Sequence, residues 1–225
     1  MVSLDEICIK ADYELAYGNY HQALNHYNDA LMIISSDTTK ANHALSVEDF
    51  QEEIRKEANI LIKRSMTLFC LRRYFYAYED AKSAIRIQPQ RLEGYLRKAE
   101  IECECRMFDL CLKSYQIAME FAETKSQKIE IDQKIKNVLM RKQRDRINDY
   151  QIIWVGTAIG MVCGMALVTW DFIHNRNDSF LRHPIVKLIS IGIVSAIFYY
   201  MTSLERYLNR KYHQNLLSKP LILKY

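Results

Sequence analysis

Three stretches of the chain share one spacing. GNYHQALNHYNDAL begins at Gly18, RRYFYAYEDAKSAI at Arg72 and RMFDLCLKSYQIAM at Arg106. Each carries an aromatic (Tyr20, Tyr74, Phe108), then three residues later a small residue (Ala23, Ala77, Cys111), and seven beyond that an alanine (Ala30, Ala84, Ala118). Seven residues are two turns of α-helix, so the small residue and the alanine share one face. A face of small residues admits a second helix at close range, and the aromatic fills the space beside it. A recurring unit constrains the fold more than any single motif, because one supersecondary structure must serve several times. Arg72 and Arg106 are 34 residues apart, whereas Gly18 and Arg72 are 54 apart, one period plus 20.

The surroundings of the three segments complete a helical reading. Ala11, Leu61, Tyr95 and Ala99 occupy positions in the preceding helices that should face the partner helix, and Pro89 marks a helix stop. The 20 additional residues fall after the first segment. SSDTTKANHA, Ser35 to Ala44, is polar and predicts a loop. Ser46 then offers an N-cap with Glu48 and Asp49 in the first turn, so the next helix starts early and runs to about Arg72. Residues 125–149 predict one more helix whose apolar stripe is Ile129, Ile135, Val138 and Leu139, a cap for the last repeat. With 6 Gly and 3 Pro in 225 residues, a many-stranded β fold is excluded and an all-α chain expected.

The pattern resembles the tetratricopeptide repeat family in its three-repeat, co-chaperone-like form. AYEDAKSAIRIQP followed by EGYLRKAE carries the closest likeness, and the likeness covers roughly residues 4–124. The resemblance implies a helical solenoid that holds a protein or peptide partner against the first helices of its repeats. In the family, co-chaperone members grip acidic chaperone tails with a lysine, two asparagines, a second lysine and an arginine. Those positions fall here on Cys8, Asp12, Lys63, Glu93 and Arg97, of which only Arg97 matches. Asp12 and Glu93 put negative charge where a carboxylate ligand would sit, and like charge opposes it. Asp5, Glu100 and Glu104 add to the same face, giving five acids against Lys63 and Arg97. A basic or mixed peptide is the better expected occupant; the alternative is that these charges form a solvated face.

The remaining residues are a different material. Ile152 to Trp170 is nineteen residues without charge, about 28 Å of helix and close to the thickness of a bilayer core. Leu188 to Leu204 is a second uncharged run, of 17 residues, with Pro184 suited to its first turn. Trp154, Trp170, Tyr199, Tyr200 and Tyr207 lie towards the ends, as interface aromatics do. Two such runs joined by a polar link predict a membrane hairpin. The first run holds Gly156, Gly160 and Gly164 at four-residue spacing, a smooth face for close helix approach. Ser190, Gly192, Ser195 and Ala196 are the expected counterparts on the second run. Packing inside the hairpin and association with another subunit, identical or different, are both open uses of these positions.

The expected organisation is therefore residues 1–124, three repeats with the insertion; 125–150, a capping helix; 151–173, the first transmembrane helix; 174–183, a short link; 184–204, the second transmembrane helix; and 205–225, a basic-amphipathic tail. The tail either continues the second helix out of the membrane and then lies on its surface, or has no fixed structure. Lys and Arg flank the outer ends of the hairpin more densely than the link, which places both termini in the cytosol. The link also contains a formal glycosylation sequon, Asn177-Asp178-Ser179, too close to the membrane for use. The opening MVSLDEICIKADYE has acids by residue 5 and is not expected to direct secretion.

The six cysteines form no C-x-x-C and the six histidines are scattered, so neither a metal site nor a cofactor site is expected. No catalytic constellation appears, and an enzyme is not expected. The net charge of +4 is spread along the chain and does not suggest a nucleic-acid partner. The leading expectation is a membrane-anchored adaptor at the cytosolic face of the endoplasmic reticulum or the mitochondrial outer membrane. A membrane-bound co-chaperone and a structural subunit of a membrane complex are the alternatives.

Overall fold

Three helix-to-helix turns of the chain use the same backbone conformation. Gly18, Arg72 and Arg106 have φ of 81°, 58° and 59°, the left-handed region. Each donates its N–H to a carbonyl three residues back (Leu15, Phe69, Cys103), and the next N–H reaches five back (Asn19 to Glu14, Arg73 to Leu68, Met107 to Glu102) at 2.8–3.2 Å. This paired pattern satisfies the last carbonyls of the preceding helix and turns the chain sharply. The three residues are the first positions of the three repeated segments. Glycine adopts this conformation freely; arginine does so at about 1–2 kcal/mol. Arg72→Gly and Arg106→Gly should each raise stability by about 0.5–1 kcal/mol, less than the full strain because glycine also loosens the unfolded chain. A denaturation midpoint that fell in either variant would refute this.

The computed structural model describes residues 3–40, 47–174 and 183–219. Among these there are eight helices and no strand: α1 Leu4–Ala16, α2 Tyr20–Lys40, α3 Val47–Cys70, α4 Tyr74–Ile87, α5 Leu92–Glu104, α6 Phe108–Glu120, α7 Lys125–His174 and α8 Pro184–Asn215. The chain divides into two compact units. One comprises residues 1–139 and 213–225, the other residues 140–212.

In the first unit each of α1 to α6 packs on its neighbour in sequence, and α3 also meets α5. The repeated small residues lie at these contacts: Ala23, Ala30, Ala77, Cys111 and Ala118 are fully buried, as are Ala11 and Ala99 in the preceding helices. Thr124 and Gln127 cap α7 reciprocally, the Gln127 N–H donating to Thr124 Oγ1 at 3.2 Å and the Thr124 N–H to Gln127 Oε1 at 3.0 Å. The first part of α7 covers α5 and α6 with Ile131, Ile135 and Val138. This corrects the expected stripe: Ile129 and Leu139 are 52% and 49% exposed, because the face that meets the core runs through 131, 135 and 138 at four- and three-residue steps.

Two polar clusters sit among the apolar ones. Glu102, 1% exposed, accepts from Ser114 Oγ at 2.6 Å and Tyr78 OH at 3.2 Å, with Lys98 Nζ at 3.8 Å. Burial and the Glu102 charge push the Tyr78 hydroxyl up to about 12. Arg64 grips Asp80 with Nε and Nη2, both at 2.7 Å, while Nη1 donates to Asn28 at 3.0 Å. Helices α2, α3 and α4 are thereby joined.

Two boundaries differ from the sequence expectation. α2 runs on to Lys40 through the stretch expected to be a loop, and the hydroxyls of Ser35 and Ser36 donate back to the carbonyls of Met32 and Ile33 at 2.9 and 2.8 Å. The rest of that stretch and Ser46 lie outside the described residues, as does the Asn177 sequon. α8 also runs past residue 204, the course that one of the two expectations for the tail allowed. α8 continues to Asn215, and Leu216 and Leu217 then pack in the first unit against a core of Leu24, Leu68, Ala77, Ala81, Ile101 and Cys105.

In the second unit α7 and α8 are long and apolar enough to cross a membrane. Their most apolar 18-residue windows are only 17% and 0% buried by the protein, which distinguishes them from core helices of a water-soluble domain.

Candidate functional site

Two regions carry the residues singled out by sequence. The first is the charged set on α1, α3 and α5. Asp12 of α1 is held from two sides: Lys63 Nζ of α3 lies 2.5 Å from one oxygen, and Tyr27 OH of α2 donates to the other at 2.7 Å. Burial first, and then the hydrogen bond to Asp12, raise the Tyr27 hydroxyl far above its ordinary range, so it acts as a fixed donor. Cys8 is half-buried beside this pair. Its thiol is raised, chiefly by burial, with the Lys63 charge opposing and the Asp12 and Asp5 charges adding. That keeps it protonated rather than a reactive thiolate.

A second cluster forms on α5. Arg97 Nη1 donates to Glu100 Oε2 at 2.6 Å, and Lys134 Nζ of α7 reaches Glu100 Oε1 at 3.2 Å and Glu130 at 3.1 Å. Arg97 Nε is buried without a partner. Glu93 is taken by Arg91 at 3.1 Å, and Arg91 also donates to Gln88 and Asn59. Asp5 and Glu104 make no ion pair among the described residues.

These contacts change the electrostatics expected from the sequence. Three of the five acids, Asp12, Glu93 and Glu100, already have basic partners, so the net negative character reduces to Asp5 and Glu104. Arg97 and Lys63, the cations facing them, are likewise engaged. Six of the eight residues, Cys8, Asp12, Lys63, Glu93, Arg97 and Glu100, fall in separate clusters around Asp12, Glu93 and Glu100, with no ion pair joining one cluster to another among the described residues. Sequence reasoning missed Tyr27, Arg91 and Lys134. Lys134 was within reach of a helical reading, since it stands four residues after Glu130; its partner Glu100 is 34 residues away and was not.

An open hollow of about 550 Å³ lies at the α4–α5 connection, lined by Arg55, Gln88, Pro89, Gln90 and Arg91. It borders the Glu93 cluster only through Arg91, whose nitrogens are already engaged. Among the described residues no group of three or more His, Cys, Asp or Glu is placed to hold a metal ion. All six cysteines are free, and burial with the Glu104 and Glu102 charges pushes the Cys105 thiol up to about 12.

The second region is the α7–α8 hairpin. The faces of Gly156, Gly160 and Gly164 are filled by α8. A methyl group added at Gly160 would stand 2.9 Å from the Cα of Ser195 and 3.0 Å from the Cβ of Phe198; at Gly164 it would stand 2.9 Å from the Cα of Ile191; at Gly156 it would overlap Thr202. Ile191, Ser195, Phe198 and Thr202 follow steps of four, three and four, one helix face. Of the expected counterparts, Ser195 meets Gly160, whereas Gly192 and Ala196 are on another face: both are exposed, and nothing lies within 4 Å of a Cβ built on Gly192. The correction follows from registry, because small size alone does not say which side of a helix meets its partner.

One end of the hairpin is closed by charge. Asp149 of α7 takes Arg206 of α8 at 2.7 Å, and Arg210 as well. Desolvation opposes ionisation of Asp149, but hydrogen bonds and charge from both guanidiniums prevail and hold its carboxyl below the usual range.

No family model matches the chain. No curated protein matches it either.

Proposed function

We propose that the protein is a membrane-anchored adaptor: a tetratricopeptide-type helical solenoid that binds a protein or peptide partner, tethered by a transmembrane hairpin. The observation that supports it best is the joint presence of two features in one chain. One is a helix pair whose apolar surface is left uncovered by protein yet is zipped along three glycines. The other is a unit whose repeated segments share one left-handed turn and one set of buried small residues. The density of Lys and Arg around residues 141–146 and 206–211 supports cytosolic termini, on the endoplasmic reticulum or the mitochondrial outer membrane.

The partner is not an acidic chaperone tail. Cys8, Asp12 and Glu93 replace cationic or neutral clamp residues, and Lys63 and Arg97 are occupied by neighbouring carboxylates. A free carboxylate ligand would therefore have to displace an internal one. The full chain should remain in the membrane fraction after alkaline carbonate extraction. It should not bind an acidic chaperone-tail peptide in a polarisation assay, and Asp12→Asn combined with Glu93→Lys should raise that affinity at least about tenfold. Release into the carbonate supernatant refutes the anchor. Tight binding of the acidic peptide by the unmodified chain refutes the partner assignment.

A further inference from the structure

α1 buries one face and leaves the other bare. Ala11 is fully buried, and Leu4, Ile7, Cys8 and Leu15 pack against the same core. With 3.6 residues per turn, Ile9 and Tyr13 stand about 160° around the helix from Ala11, and Tyr17 about 120°. They are 68%, 57% and 68% exposed. Steps of four place the three along one stripe. The Tyr13 and Tyr17 rings lie together, their centroids 4.3 Å apart.

An exposed apolar stripe is out of place on a terminal helix. The helices that end a solenoid stay soluble by turning a polar face outward. α7 does so over the last repeat: the Asp132–Lys136 pair, 2.6 Å apart, stands between its exposed Ile129 and Met140. On α1 no charged pair breaks the run from Ile9 to Tyr17. The charges lie beside it. Glu6 and Lys10, 2.9 Å apart, neutralise each other. Asp5, exposed and one turn before Ile9, makes no ion pair among the described residues.

The other end of the solenoid shows what covers a helix of this kind. α7 lies over α5 and α6 with Ile131, Ile135 and Val138, and its Lys134 reaches Glu100 of α5 at 3.2 Å. The covering element is a helix with an apolar stripe and a cation for the acid beneath. α1 presents the same combination, an apolar stripe and an acid. A second copy's α1 does not answer it, because the only cation of that helix, Lys10, is already held by Glu6.

We propose that the outward face of α1 docks an amphipathic helix of a partner protein, with apolar residues at steps of three and four and an arginine or lysine beside them. The apolar residues cover Ile9, Tyr13 and Tyr17, and the cation pairs with Asp5. This rests on the adaptor reading above for the existence of a partner. It seats that partner away from the self-paired charges of Asp12, Glu93 and Glu100.

The full chain in detergent is titrated with a fluorescent helical peptide that carries leucines along one face and arginines on its flanks. The peptide should bind, and the same peptide with glutamates for arginines should bind about tenfold more weakly. Tyr13→Ser with Tyr17→Ser should weaken the arginine peptide about tenfold, and Asp5→Asn about threefold, whereas Tyr13→Phe with Tyr17→Phe keeps the affinity. In the unmodified chain, bound peptide should slow hydrogen exchange of α1 amides and leave those of α3 and α5 as they were. Absence of binding overturns the site, as does binding that survives the serine pair; neither result touches the anchor, which carbonate extraction tests. Slowed exchange in α3 and α5 instead of α1 keeps the adaptor reading and overturns this face. Dimers that the serine pair abolishes would make a second copy the occupant, and α1 amides slowed by phosphatidylserine nanodiscs without peptide would make it the membrane surface; either overturns the proposal.

Discussion

Gly160→Leu is expected to force α7 and α8 apart, whereas Gly192→Leu leaves the hairpin intact. The contrast follows from what a side chain would meet. At Gly160 the first added carbon already stands 2.9 Å from a backbone atom of Ser195, and backbone cannot swing aside as a side-chain tip can. The three further carbons of leucine have to be accommodated by moving one helix away from the other. Overpacking of this kind costs typically about 1–3 kcal/mol, and a clash against backbone belongs at the upper end. At Gly192 there is open space and no cost. Titrating the purified chain from mild detergent into SDS, with Trp154 and Trp170 fluorescence as readout, should give a lower unfolding midpoint for Gly160→Leu alone. If both variants unfold at the unmodified midpoint, the glycine face is not what joins the helices. If Gly160→Leu keeps the midpoint but loses oligomers, the face serves another subunit instead.

The second large effect is expected at Asp80. Its carboxylate is 90% buried and is gripped by Arg64 through two hydrogen bonds of 2.7 Å, so truncating either partner strands the other's charge. Burial raises the Asp80 carboxyl, and the Arg64 hydrogen bonds and charge oppose that rise. Breaking a buried pair from one side costs about 3–5 kcal/mol, whereas replacing both partners by apolar residues of similar size is often neutral. Asp80→Ala and Arg64→Ala should each lower the unfolding midpoint of the first unit severely. Arg64→Met with Asp80→Leu should recover most of the loss, short of full recovery because Asn28 also loses its bond from Arg64. Hydrogen exchange of α3 and α4 amides is the measurement. Additive losses in the double variant would show that the pair is not the unit of stability.

The helical architecture was legible because packing imposes a period. Ala23, Ala77 and Cys111 are small for the same steric reason, so their spacing could be seen before any coordinates. The left-handed turns were only half legible. Gly18 announces one, but nothing in an arginine marks Arg72 or Arg106; they inherit the conformation from their place in the repeat. The extension of α2 was hidden because serine, aspartate and threonine look like loop residues. Ser35 and Ser36 stay helical by returning their hydroxyls to carbonyls three residues back. In the charged set, sign was legible and partnership was not. That Asp12 faces Lys63, and Glu100 faces both Arg97 and Lys134, depends on how separate helices meet. The glycines of α7 showed which of its faces is close-packed, but the face of α8 that receives them is built from a threonine, a phenylalanine, a serine and an isoleucine, of which a size rule selects only the serine, Ser195.

Leu216 and Leu217 have a consequence in time. They finish a cluster whose other members lie between Leu24 and Met107. A ribosome adding about 5–20 residues per second needs roughly 5–20 s to travel from Met107 to Leu217. For that interval the cluster lacks its last two members, while both apolar runs are being made. The nascent chain thus passes through a stage at which its oldest helices are folded but still sticky. It is during this stage that a chaperone binding apolar surface would find it, and the stage closes when the two leucines arrive.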